Sequence, residues 1–159
     1  MWEKSSNRHA NTSVVDISPN GIGQMNTLQP EGYEALAELR YLGRKFLRFS
    51  KDFLRAKAAL NPEQYEALLA IKAFPGKSLT ISQLSERLQV KHHSAVNIVD
   101  RLVDRKLIRR RANQHDRRER HLELTVDGEQ LIDELAAVHH SELRNRSEEM
   151  IKALRRLNQ

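Results

Sequence analysis

Between His92 and Arg105 the chain sets His93, Asn97 and Arg101 four residues apart. That spacing brings an imidazole, an amide and a guanidinium onto one side of a helix. Asp104 extends the same side, and His92 and Ser94 flank its start. Such groups read the edges of nucleic-acid bases. Asn pairs with adenine through two hydrogen bonds, while Ser and His make single ones. The first residues of a reading helix reach the bases, so His92, His93, Ser94 and Asn97 are the base-edge candidates. Arg101, about a turn further on, suits guanine or phosphate.

The basic residues gather immediately downstream. Arg105 to Arg120 contains eight of them against Asp116 and Glu119, a net charge of +6. The whole chain also carries +6, so the remainder is balanced and the positive field is local. A local basic patch beside a polar helix face is the electrostatic footprint of a DNA-binding surface. Asn113 to Asp116 form a polar turn. Asp116 can brace a neighbouring arginine, so that Arg117 or Arg118 enters a narrow minor groove. Arg109, Arg110 and Arg111 alternate along a strand and cannot all face DNA. Phosphate and intramolecular acids are both open as their partners.

The elements that must position these groups are legible on either side. Thr80 and Gln83 form a capping box, and Ile81, Leu84 and Leu88 give the short helix Thr80–Leu88 one apolar face. In the helix that follows, Ala95, Ile98, Val99 and Leu102 lie opposite the polar side. Two short helices joined tightly, the second with a polar outer face, predict a helix-turn-helix. Ile108–Ala112 and Arg120–Leu124 pair as the strands of a wing. Thr125 then caps a new helix.

In these residues the chain resembles the MarR family of winged helix-turn-helix regulators. The resemblance is carried, in order, by Leu84…Leu88-Gln89-Val90, His93-Ser94-Ala95-Val96, Val99-Asp100-Arg101-Leu102 and Leu107-Ile108-Arg109-Arg110. It continues through Asp116-Arg117-Arg118 and Leu124-Thr125…Gly128, and extends over roughly residues 31–159. It implies a mainly α fold with a small β-wing, in which a winged helix-turn-helix over 61–125 is flanked by dimerisation helices at 30–57 and 126–159. It further implies a homodimer on double-stranded DNA, often a repressor released by a small-molecule effector; with no membrane span or secretory leader expected, the cytoplasm is the default location. Within the wing it favours Arg118 for the minor groove. One position departs from the family: Lys106 stands where Gly is common, so it must turn left-handed or change the turn.

The flanks complete the expectation. Residues 1–29 are polar and read as a disordered tail, with an arm crossing a partner subunit as the alternative. Pro30 starts a helix whose seam is Ala35, Leu39, Leu42, Phe46, Phe49 and Phe53. Asn61, Pro62 and Gln64 start the next, with Tyr65, Leu68, Leu69 and Ile71 as its buried side. After Thr125, Leu131, Leu135 and Val138 mark a long helix, with a break expected at Asn145–Ser147 and a last helix capped by Ser147. The effector would sit between the dimer helices and the DNA-binding lobe, with Tyr33, Tyr41, Phe46 and Tyr65 as candidate lining.

Other chemistries are not predicted. The chain has no Cys, which excludes disulfides, thiolate metal sites and cysteine redox switches. His92–His93 and His139–His140 are adjacent pairs that diverge by roughly 100° on a helix, unsuited to joint chelation. No metal or cofactor is expected. No phosphate loop, nucleophile elbow or paired carboxylate suggests an enzyme. No apolar run suggests a membrane span, and no secretory leader is expected. A winged helix serving only as a protein-docking adaptor is the alternative, and it would not need the clustered charge.

Overall fold

The computed structural model describes residues 28–74, 76, 79–112 and 120–158. Helix α1 (Pro30–Ala58) begins with Pro in its first turn, where a missing N–H is harmless. It ends where Ala59 turns left-handed at φ 49° and Leu60 N–H donates back to Leu54 O at 3.2 Å. The expected capping box opens α2 (Pro62–Ala73): Gln64 N–H donates to Asn61 Oδ1 at 2.8 Å, and Asn61 N–H to Gln64 Oε1 at 3.0 Å. Gln64, Ala67, Leu68 and Ile71 form its buried stripe. Tyr65 is buried beside them, as expected, whereas Leu69, expected there too, is exposed at the edge of the stripe although it lies four residues after Tyr65.

Strand β1 (Leu79–Thr80) leads into α3 (Ile81–Leu88) and α4 (His92–Asp104); β2 (Ile108–Ala112) and β3 (Arg120–Leu124) follow, then α5 (Val126–Leu157). The strands form an antiparallel sheet of order β1-β3-β2, with Leu79 opposite Leu122 and Ile108 opposite Leu124. The two wing strands have the bounds expected of them. Strand β1 was not foreseen, since two residues are too few to show an alternation. Leu54, Leu68, Leu84, Leu102, Leu122 and Leu135 belong to one buried cluster that ties α1, α2, the helix-turn-helix, the sheet and α5 together. Each such side chain contributes about 1.5–3 kcal/mol of burial.

The expected break at Asn145–Ser147 is overturned: α5 passes through it without interruption. Ser147 Oγ donates to Arg144 O at 2.7 Å, a bond made inside a helix and not at its cap. Arg146 pairs with Glu142 one turn earlier. Asn and Ser weaken a helix interior by only about 0.5 kcal/mol each. Helix α5 packs along α1, burying Ile132, Leu135, His139 and Ala153. On α1 the predicted seam is graded: Ala35 and Leu42 are buried, whereas Leu39, Phe46, Phe49 and Phe53 are half-buried.

His139 is the polar centre of that packing, 4% exposed. Its Nδ1 lies 2.7 Å from Leu135 O, so this nitrogen carries the proton. In the neutral ring Nε2 then accepts from Ser50 Oγ at 2.9 Å. Tyr65 stacks on the imidazole at 4.3 Å, and Phe46, Phe49 and Phe53 meet it edge-on. Burial pushes the Tyr65 phenol above its ordinary value. Of the four aromatics predicted to share a pocket, Phe46 and Tyr65 meet here. Tyr33 and Tyr41 are half exposed, and Tyr41 instead lines a groove with Glu149 and Lys152.

Candidate nucleic-acid interface

Thr80 fixes the start of α3: Gln83 N–H donates to Thr80 Oγ at 3.3 Å, and Thr80 N–H to Gln83 Oε1 at 2.8 Å. The helix stops at Gln89, left-handed at φ 53°, with Val90 N–H returning to Ser85 O at 3.1 Å. This tight turn delivers the chain to α4 with the amphipathic phase read from the sequence. Ala95, Ile98, Val99 and Leu102 are buried. His92, His93, Asn97, Arg101 and Asp104 are exposed, and Ser94 is half-buried. No acidic residue occupies the first turn of α4, so its positive end meets no opposing carboxylate there.

Three of the candidates share one cleft. Ser94, Asn97 and Arg101 line a space of about 270 Å³ with Asn61, Glu63 and Gln64 at the start of α2. His92 and His93 lie at the beginning of the same helix, outside that lining. Asp116, Arg117 and Arg118 fall outside the described residues.

The wing stem is an ion-pair lattice. Arg109 stands opposite Glu123 in register and donates to its Oε2 from Nε at 3.1 Å and from Nη2 at 3.0 Å. Arg111 Nη1 reaches the other oxygen of Glu123 at 3.4 Å. Arg110 points to the opposite face of the strand and meets Asp100 Oδ1 of α4 at 2.5 Å. Intramolecular acids are therefore the partners of all three arginines in this structure.

The arrangement can be compared with known proteins. Residues 60–119 match the sequence pattern of the MarR family. Over that stretch the chain is similar to the MarR family. Over 81 residues it is 35% identical to the HTH-type transcriptional repressor MdtR of Bacillus subtilis, and the match covers 51% of each chain. It thus spans about half the length of that curated relative. Among solved structures, AbsC, a MarR family transcriptional regulator from Streptomyces coelicolor, superposes with a TM-score of 0.65 at 20% identity, covering 76% of this chain and 81% of AbsC. A Staphylococcus aureus MepR variant bound to an oligodeoxyribonucleotide superposes with a TM-score of 0.60 at 21% identity, covering 73% and 82%. At those identities the two structures establish the winged-helix fold.

Within the matched stretch Lys106 takes the left-handed conformation itself, at φ 59°. Leu107 N–H donates to Leu102 O at 3.0 Å and Thr125 Oγ to Lys106 O at 2.7 Å, so the turn keeps its shape without glycine. The Leu-Thr-x-x-Gly exit also acquires a cause. Thr125 N–H donates to Leu107 O at 3.0 Å, and Gly128 N–H to Thr125 Oγ at 3.0 Å. A Cβ on Gly128 would stand 1.9 Å from Leu107 O. Sequence reasoning missed Asp100 and Glu123 as partners of the stem. Glu123 becomes visible once the hairpin register is set; Asp100 needs the tertiary contact. Among the described residues no group of three or more His, Asp or Glu could hold a metal, and no helix is long and apolar enough to cross a membrane.

Proposed function

We propose that the chain is a sequence-specific double-stranded DNA-binding transcriptional regulator, a repressor acting as a homodimer on a pseudo-palindromic operator and released by a small-molecule effector. One observation carries this reading: the exposed face of α4 presents His92, His93, Asn97 and Arg101 beside the hairpin that holds the basic surplus of the chain. Asn97 pairs with adenine, and Ser94 and the two histidines make single base contacts. Arg101 takes guanine or phosphate. At the hairpin tip Asp116 orients Arg117 and Arg118, and Arg118 enters the minor groove. The repressor name of MdtR and the oligonucleotide held by the MepR variant support the assignment.

A second copy is supported by apolar side chains that α1 and α5 leave exposed, among them Leu36, Leu47, Leu143, Ile151 and Leu154. The effector belongs at the junction of α1, α2 and α5, beside the aromatic ring set of His139.

Selection of bound sequences from a random DNA pool, followed by anisotropy titration, tests the function. A palindromic motif should emerge, and log affinity should fall with log salt by about 0.9 per phosphate, for roughly six to ten contacts per dimer. No enriched motif together with salt-independent binding would refute it and favour the protein-docking adaptor.

A further inference from the structure

The turn that ends α4 is fastened to two other helices. Arg105, the C-cap of α4, donates from Nη2 to Ala58 O at 2.7 Å and from Nη1 to Ala59 O at 3.1 Å. These carbonyls close α1 at its negative end, where a cation is favoured. Ala59 is the residue that α1 holds left-handed, a conformation its Cβ resists. The carbonyls of the next two residues, Lys106 O and Leu107 O, accept from Thr125, the N-cap of α5. One short turn, Arg105–Leu107, therefore joins the end of the polar-faced helix to the end of α1 and the start of α5.

By sequence, Arg105 counts among the eight basic residues of the charged stretch. Its geometry gives it a different task. We propose that Arg105 is a positioning residue that fixes the angle of α4 against α1 and α5, and so sets the half-site spacing that the protein accepts. This rests on the reading of the chain as a dimeric DNA-binding regulator. In a two-fold dimer, a small rotation of α4 about its last turn changes the separation of the two reading helices while leaving each one's outer face intact. Spacing and base preference are then controlled by different residues.

Lysine at this position separates the roles of charge and geometry. An ammonium keeps the charge but lacks the planar fork that reaches two carbonyls together. The chain has no Cys, so Ser82→Cys, on the exposed side of α3, gives a single spin-label site. Inter-protomer distances are measured on the full chain without DNA. Affinities are measured on the selected operator and on versions with the spacer changed by one or two base pairs. Arg105→Lys should keep its melting temperature, base preference and salt slope. It should broaden the distance distribution and weaken binding to the preferred spacing about tenfold, with a similar loss of discrimination between spacings. Arg105→Gln should do the same and keeps the test open if lysine is not accommodated.

Narrow distances and wild-type spacing preference in both variants overturn the proposal. So does a Lys variant that behaves as wild type beside a Gln variant whose salt slope alone falls, since that pattern marks a phosphate contact. Absence of any inter-protomer distance in the labelled parent refutes the dimer, and the proposal with it.

Discussion

Gly128→Ala isolates the joint between the wing and α5. Gly128 lies in the first turn of a helix, where alanine is intrinsically better by about 1 kcal/mol. Propensity alone therefore predicts a more stable protein. The surroundings predict the reverse, because the new Cβ would stand 1.9 Å from Leu107 O and 2.9 Å from Leu107 C. Both are backbone atoms that cannot rotate away. Relief requires α5 or the Leu107 strand entry to move by about an ångström, which forfeits the Thr125 N–H bond to Leu107 O and strains the Thr125 cap. A lost hydrogen bond and a lost cap are worth about 1 kcal/mol each. Overpacking against fixed atoms adds about 1–3 kcal/mol. After subtracting the propensity gain, we expect a net loss of about 2–4 kcal/mol. At an m-value near 2 kcal/mol/M this lowers the urea midpoint by about 1–2 M. Fixed protein concentration is needed, since the stability of the proposed dimer would depend on it. Gly43→Ala is the control: in α1 its Cβ would meet nothing within 4 Å among the described residues, so propensity should prevail and the midpoint rise. A Gly128→Ala protein as stable as wild type would refute the reasoning.

Ser50→Ala should destabilise by about 1–2 kcal/mol in the same assay, because it leaves the buried Nε2 of His139 without its donor; an unchanged midpoint would mean that water or another rotamer replaces the hydroxyl. Asn97→Ala should weaken the best operator by about 1–3 kcal/mol and relax preference at one position in each half-site. Arg118→Ala should instead weaken many sequences together and flatten the salt dependence, and the two patterns are separated by titrating an operator panel. Glu123→Gln removes the acceptor shared by Arg109 and Arg111. It should steepen the salt slope by about 0.9 for each phosphate newly reached, and an unchanged slope would place both arginines out of reach of DNA.

Much of this architecture is local chemistry, which is why it reads from the sequence. The Asn61 and Thr80 capping boxes need only residues three apart, and both form with their expected partners. The buried and exposed sides of α4 follow from one helical period. The illegible parts depend on the third dimension. Leu79–Thr80 becomes a strand only because β3 offers an edge to it. Asn145–Ser147 resembles a helix boundary by residue type, yet packing of α5 on α1 overrides so weak a preference. His139 looks like half of an exposed histidine pair; its burial against Ser50 and four rings depends on contacts between residues far apart in the chain. At the interface, the face of α4 was legible, whereas the pairing of Arg110 with Asp100 required knowing how the strand crosses the helix.

The same distinction governs how the charge should be read. The stretch Arg105 to Arg120 carries +6, but its boundaries exclude two acids that fold back on it, Asp100 and Glu123. Widening the window to residues 100–123 adds Arg101 and three acids and lowers the net to +4. Arg109, Arg110 and Arg111 are held by carboxylates, and Arg105 by the carbonyls of α1. A guanidinium paired at about 3 Å projects a dipole's field rather than a full charge, so these groups add little to long-range attraction. Replacing a carboxylate by a phosphate exchanges one ion pair for another and gains correspondingly little. Affinity in the proposed complex should therefore come chiefly from the hairpin tip and the start of α4, with a salt slope toward the low end of its expected range. The stem arginines then serve geometry: Glu123 holds Arg109 and Arg111 on one strand face, while Asp100 ties the other face to α4, the helix proposed to read the bases.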